Sequence, residues 1–572
     1  MSSPAPQPNR FWSTIRTVSL VSIVLLWCLA VAMVVTISKN DRMGIDIQRA
    51  VTAAAVTLAG AITLLWFVVL APVSGKVRAG VGLATFALVG TLFGLLRLEE
   101  VDGGLWPRFV WRWAPKADEL LAQADTIVPV DSEGIDLTST THNDFPQFMG
   151  PNRNLRLEGP PIATNWDEQP PRLVWKQPIG AGWSAFVAVN GYGITQEQRG
   201  EEELVTCYDI ATGKLIWANA VSQRHETVMG GAGPRATPAV DEGHVYAMGA
   251  GGLFRCLKGT DGSERWRRDL LAETGVTSDE AGIAWGRAGS PLVLGSLVIV
   301  PLGGPNGGPY VSLLACDKLT GEIVWKAGDM QISYASPTLV QLQQVEQILI
   351  VLEDHVAAFD PVQGSLLWKH PWPGGSTSAA NVSNAVAVDE GRVFVSKGYA
   401  QGAMLLNVSR DESGTWSTDV VWENPVVMKS KFSNVVYQDG YLYGLDDVVL
   451  SCIDVETGRR AWKKGRYGYG QILLVGDTLL VLGEEGQLAA VAADPDQYRP
   501  LAEIAAIEGK TWNNLCLYGN YILVRNSQEA ACYELPLLTS PNDESATATE
   551  TKRDHSGNAS GNSSPGSSGN ST

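Results

Sequence analysis

The sequence predicts an all-β fold, an eight-bladed β-propeller with four-stranded blades, preceded by about three transmembrane α-helices. Three observations carry this expectation. A turn-and-strand unit recurs five times between residues 207 and 462. Candidate outer strands follow one another at separations of roughly 40 to 60 residues, the period of a four-stranded blade. Three long apolar segments precede the first of them, each near the roughly 18 to 20 residues that a membrane-spanning helix needs.

Taken in order, the chain opens with an N-terminal tail (1–16) and a membrane domain (17–97) whose predicted helices are 17–38, 50–72 and 79–96. The first is too long for a signal peptide, and no clean small-residue cleavage site follows it. Residues 98–144 read as a juxtamembrane linker in which "LWPRFVWRWAP" (105–115) mixes Trp, Phe and Arg as a membrane-surface segment does. The propeller is expected over 145–538, and a Ser-, Gly- and Asn-rich tail (539–572) has too few apolar residues to fold.

The formal charge of the 572 residues is −17, but residues 1–116 carry six more basic than acidic residues, so the remainder carries −23. So acidic a soluble part argues against nucleic acid as a partner. Of the basic residues flanking the helices, Arg10, Arg16, Lys76 and Arg78 fall on one side and seven on the other. Counted literally, that distribution would place the propeller in the cytoplasm.

The repeated unit is an Asp or polar residue, three residues, Gly, three residues, Trp. It occurs in "CYDIATGKLIW", "CLKGTDGSERW", "CDKLTGEIVW", "FDPVQGSLLW" and "CIDVETGRRAW". Gly213, Gly262, Gly321, Gly364 and Gly458 each precede Trp217, Trp266, Trp325, Trp368 and Trp462 by four residues. A type I turn followed by a left-handed residue wants Asp or Thr early and Gly last, so the glycines are turn devices. The tryptophans should lie on the outer strand of each blade and dock it on its neighbour. Trp175, Trp422 and a Trp-less strand near Glu503 complete eight outer strands. The last blade has only three strands of its own after residue 510, and residues 173–178 should close it as the fourth.

In common register the innermost strands show a small polar column: Ser184, Thr237, Ser290, Ser336, Ser383, Ser433, Gln471 and Asn514. Eight-fold repetition points to architecture, with side chains satisfying backbone groups at the centre of the ring. At or near two positions earlier the residues vary, and Arg235, Tyr334, Asn381, Lys431, Tyr469 and Trp512 form a candidate ligand-binding set at one channel mouth. Cations beside aromatics there suit an anionic, planar or carbohydrate ligand.

Other chemistry is sparse. The six histidines have no metal-ligand spacing, and "GGAGPR" (230–235) and "GGPNGGP" (303–309) lack the Lys-Ser/Thr of a phosphate loop. No GxSxG elbow occurs, no sequence context marks Glu353 and Asp354 as an acid/base pair, and no CxxC is present among the seven cysteines. Cys207, Cys256, Cys452 and Cys532 recur two residues before the Asp column, as small packing residues of a repeat. No catalytic residue and no metal ligand is assigned.

The Asp-x-x-Thr-Gly-x-x-x-Trp unit resembles the pyrroloquinoline quinone (PQQ) repeat of the quinoprotein alcohol dehydrogenase-like superfamily, which includes quinoprotein dehydrogenases and the outer-membrane assembly factor BamB. "DFPQFMGPNRN" (144–154), "AWGRAGSPLV" and "GYLYGLDDVVLSCIDVETG" look like a bacterial group of such propellers with an N-terminal membrane anchor. The resemblance covers about residues 145–535. It implies eight blades, and a cytoplasmic-membrane protein with its propeller on the extracytoplasmic side, against the charge count. The dehydrogenases of the superfamily use a calcium site of Glu, Asn and Asp, a catalytic Asp and adjacent cysteines. Adjacent cysteines are missing here, and no stretch matches the calcium ligands. The expectation is therefore a BamB-like, non-catalytic binding or scaffold module for an envelope protein or ligand, without a cofactor. A PQQ- and calcium-dependent dehydrogenase of alcohols or sugars and a membrane-linked sensor are the alternatives.

Overall fold

The computed structural model describes residues 10–40, 43–121, 135–277 and 282–538. Three apolar helices come first: α1 (Arg10–Ser38), α2 (Ile45–Leu70) and α3 (Gly75–Leu95). All three are long and apolar enough to cross a membrane. Helix α2 begins five residues and α3 four residues before the expected boundaries. Their first turns are polar, holding Asp46 and Arg49 in α2 and Lys76 and Arg78 in α3, so apolarity alone marks the starts too late. Ser74 caps α3 by accepting from the Val77 amide. The tail predicted to be disordered, 539–572, lies outside the described residues, as do residues 1–9.

The segment expected to be a linker has structure where it is described. Helix α3 runs straight into a hairpin, β1 (Leu96–Val101) and β2 (Pro107–Trp111), followed by a 3-10 turn at Ala117–Leu120. Ile135 and Leu137 then bury themselves beside Val187, Val205 and Trp217 in the core between the first two blades. The packed unit thus begins ahead of residue 145, because two apolar side chains just upstream have a core to enter.

The described residues form eight blades of four antiparallel strands. Blade 1 spans Val187–Ser222 and blade 7 Gln471–Ala505. Blade 8 contributes Cys516–Tyr518, Tyr521–Arg525 and Glu529–Glu534, and Arg172–Pro178 pairs with the last of these as its fourth strand. Joining the start of the propeller to its end closes the ring and removes two free sheet edges.

The five repeated turns share one backbone geometry, and in four of them an Asp carboxylate also accepts from the turn, Lys258 standing in the fifth. At Asp209 the carboxylate accepts from the Thr212 amide and hydroxyl while its carbonyl accepts from the Gly213 amide. The register slips by one residue just beyond, between Cys207 and Tyr208, and it slips at the equivalent place in the other four copies. That is a bulge whose left-handed residue is Gly213, at φ +73°. A second reason for glycine is tertiary. A Cβ on Gly213 would lie 2.7 Å from the Trp175 ring, and one on Gly262 2.5 Å from Trp217. Gly321, Gly364 and Gly458 meet Trp266, Trp325 and Trp422 in the same way. Each of these five tryptophans therefore stacks on the turn of the next blade. Trp175, Trp217, Trp266, Trp422 and Trp462 also donate their indole N–H to a backbone carbonyl there. Trp368 instead donates to Gln347 within its own blade, the blade that follows having a longer outer hairpin. The cysteine column faces the tryptophans across the hairpin, Cys207 opposite Trp217 and Cys532 opposite Trp175. A small residue is what that register leaves room for, and all six propeller cysteines are buried thiols.

Candidate functional site

The inner strands converge on a central channel, and the small polar column lines it as a circular girdle. In most blades these residues stand two or three positions ahead of the strand rather than on it. The Ala185 amide donates to Thr237 Oγ1, the Thr237 amide to Ser290 Oγ and the Ser290 amide to Ser336 Oγ. The chain of bonds then steps one residue along the sequence, from Ser336 to Asn384 Oδ1 and from Asn384 to Asn434 Oδ1. Gln471 Nε2 donates to the carbonyls of Phe432 and Trp512, and Asn513 Nδ2 returns to Gly182 and Ser184. Backbone groups that no ladder can reach at the axis are thereby paired between blades.

One end of the channel is stopped by the segment after Asp144. Phe145 bridges Ala188 of blade 1, Asn384 Nδ2 contacts Met149 Sδ at 3.6 Å, and Arg156–Leu157 pair with the inner strand of blade 7. Arg153 is buried and donates to the carbonyls of Ser290 and Pro291 at 3.1 and 2.8 Å. Loss of water pulls its guanidinium down to about 9.

The opposite mouth is capped by the membrane domain. Asp46 from the start of α2 and Asp102, Gly103 and Leu105 from the β1–β2 turn face a chamber of about 510 Å³ whose other walls include Trp183, Trp285, Phe432 and Phe148. Of the six candidate residues, Arg235, Tyr334, Lys431 and Trp512 line this chamber; Asn381 and Tyr469 do not.

Arg235 turns its guanidinium on its own glycine-rich loop, donating to the carbonyls of Gly230 (3.0 Å), Gly231 (2.7 Å) and Gly233. Burial pulls it down to about 10. Tyr334 stacks on Trp285 at 5.4 Å and donates to the Ser376 carbonyl at 2.6 Å. Asn381 is spent on the carbonyls of Leu352, Glu353 and Trp372. Lys431 Nζ pairs with Asp46 Oδ2 at 2.8 Å and with the Gly103 carbonyl at 3.0 Å, and lies 5.0 to 5.2 Å from the rings of Tyr399, Phe432 and Tyr469. Burial, then the neighbouring Asp447 carboxylate, push the Tyr469 phenol well above its ordinary value.

Sequence alignment alone does not show the groups that organise this mouth. Glu484 accepts from the Gly103 amide (2.8 Å), the Trp512 indole (2.9 Å) and the Tyr469 amide (3.1 Å). Lys510 pairs with Glu100 Oε2 at 2.6 Å, donates to the Val101 carbonyl and lies over the rings of Trp183 and Trp512. Lys510 is two residues from Trp512, and Trp183 is adjacent to the polar column, so both were within reach of the repeat alignment. Asp46 and Glu100 carried no such signal.

The family model described as "Outer membrane protein assembly factor BamB" matches residues 201–464. Among solved structures the chain is similar to BamB from Moraxella catarrhalis, at 15% identity and a TM-score of 0.46, over 64% of this chain and 100% of that one. It is also similar to a quinohemoprotein alcohol dehydrogenase from Comamonas testosteroni, at 13% identity and a TM-score of 0.48, over 74% and 84% of the two chains. The computationally designed Ika8 protein matches at 12% identity, with a TM-score of 0.45, over 64% and 100%. No curated protein matches the chain.

Proposed function

We propose that this chain, similar over residues 201–464 to the outer-membrane assembly factor BamB, is a membrane-anchored, non-catalytic propeller that acts as a binding or scaffold module for a protein or envelope ligand. The observation that carries the proposal is the channel mouth. Where a propeller enzyme would admit its substrate, this chain places its own α2 and β1–β2 turn, with Asp46 on Lys431 and Glu100 on Lys510.

The residues present do not fit a calcium-bound quinone. The carboxylates that face the chamber belong to the membrane domain, and each is engaged: Asp46 with Lys431, and Asp102 with Arg49 at 3.4 Å and the Trp106 amide. Among the described residues no three His, Cys, Asp or Glu side chains are grouped so as to hold a metal ion. The test is a titration of the purified full-length protein with PQQ and calcium, followed by tryptophan quenching and by dye reduction with alcohols and sugars. Neither a saturable quench nor turnover is expected. Tight binding with turnover would make the chain a quinoprotein dehydrogenase and overturn the proposal.

A sensor is the second reading, and the same ion pairs support it. Asp46–Lys431 joins the propeller to α2 directly and Glu100–Lys510 joins it to the hairpin that continues α3, so a change at the mouth has a mechanical route into the helices.

A further inference from the structure

We propose that Asp46 is a built-in counter-anion in an anion site centred on Lys431, and that a small carboxylate-bearing ligand competes with the membrane domain for this site. The proposal rests on the binding-module reading and deepens it by naming the ligand's chemistry.

The Lys431 ammonium is enclosed on every side. Its side chain is 5% exposed and that of Asp46 8%. The propeller supplies three ring faces, from Tyr399, Phe432 and Tyr469. Among the described residues no propeller carboxylate lies within ion-pair distance of it; both of its hydrogen-bonded oxygens, Asp46 Oδ2 and the Gly103 carbonyl, come from the membrane domain. Ring faces attract a cation but do not neutralise it. If α2 and the β1–β2 turn withdraw, the ammonium loses its counter-charge and both oxygen partners, and only water and three ring faces are left to hold it. An anion that reaches Lys431 in place of Asp46 therefore favours the open mouth.

The chamber beside this pair has room for such a ligand. Its volume of about 510 Å³ is bounded by Phe148 at the floor and by Trp183, Trp285 and Trp512 at the sides, which limits the occupant to a small molecule. A second cation, Arg235, lines the same chamber from blade 2, across the ring from Lys431 on blade 6. Its hydrogen bonds go to loop carbonyls, so it adds positive potential and leaves direct pairing to Lys431. The lock is also divisible. Glu100–Lys510 and Gly103–Glu484 are further holds on the hairpin, so loss of Asp46 alone loosens the clasp, through the Lys431 that also binds the Gly103 carbonyl, without releasing it.

The experiment uses full-length protein in nanodiscs, with benzoate as the probe and benzamide as its neutral isostere. Hydrogen exchange of the amides over residues 99–106 reports on the clasp. Asp46→Asn should bind benzoate at least tenfold more tightly than the wild type and exchange faster over 99–106. Benzamide should bind neither form, and adding Lys431→Met should abolish benzoate binding. The swapped pair Asp46→Lys with Lys431→Asp should restore wild-type exchange and bind no benzoate, which controls for misfolding of the single variant. Equal benzoate affinity in wild type and Asp46→Asn, or benzoate binding retained without Lys431, would overturn the proposal. Faster exchange with no benzoate binding would reduce the pair to a static contact and overturn it equally. Quinone turnover, by contrast, would sink the binding-module reading while leaving the competition between Asp46 and benzoate measurable.

Discussion

Trp325 illustrates what one side chain does for the ring. It is 9% exposed and lies against Gly364 of the next blade so closely that a Cβ there would come within 2.7 Å of the indole. Truncation to alanine removes most of a blade-to-blade contact and leaves a cavity in a seam that the rest of the ring prevents from collapsing. Trp325→Ala should cost about 3 to 5 kcal/mol, read as a lowered melting temperature; an unchanged one would remove Trp325 from the seam. The pairing of each tryptophan with a glycine of the next blade was half legible in the sequence. The four-residue spacing of Gly and Trp is local, whereas the contact joins a tryptophan to the glycine of a different copy. At the mouth the difference is sharper. Repeat alignment brings Arg235, Tyr334, Lys431 and Trp512 to one chamber, yet the partners that define Lys431 stand 328 and 385 residues away in the chain.

At the scale of elements, strand count and strand closure were readable because a four-stranded blade has a fixed period and a ring must close. Helix starts were misplaced by a turn because polar first turns do not register as membrane-like. The segment ahead of residue 145 was read as a linker because Ile135 and Leu137 are two apolar residues in a polar stretch, too few for any periodicity to detect. Their burial beside Trp217 is decided by the core of blades 1 and 2. A chain of residues 135–538 should fold as a soluble propeller and melt higher than one of residues 145–538. Loss of two buried aliphatic side chains accounts for about 3 to 6 kcal/mol at roughly 1.5 to 3 kcal/mol each. Identical melting temperatures would show that the segment only lies on the surface.

For the whole molecule, the geometry orders the parts along one axis: helices, hairpin, chamber, girdle and the stopper of residues 145–157. The C-terminal ends of α1 and α3 and the start of α2 face the propeller, which leaves the α2–α3 turn with Lys76 and Arg78 on the opposite side. We propose that this turn lies in the cytoplasm and the propeller outside the cytoplasmic membrane of a bacterium. Several basic residues on the propeller side are tied up locally, Arg108 with Glu100 at 3.2 Å and Lys116 with Glu226 at 2.5 Å, and the exposed Trp106, Phe109, Trp111 and Trp113 beside them suit a membrane interface. Alkaline phosphatase fused after residue 538 should be active in cells and a fluorescent protein at the same point dark; the reverse pattern would put the propeller in the cytoplasm.

By itself the sequence determined the repeat, the number of blades, the closing strand and the apolar helices, because each of these is written in periodicity or in runs of one residue type. Only the tertiary structure decided that the channel mouth is covered from within, by Asp46 on Lys431 and Glu100 on Lys510. The physical reason is that a buried ion pair is made by two residues that need share no local pattern, and only the folded ring brings the end of a membrane helix to the axis of a propeller.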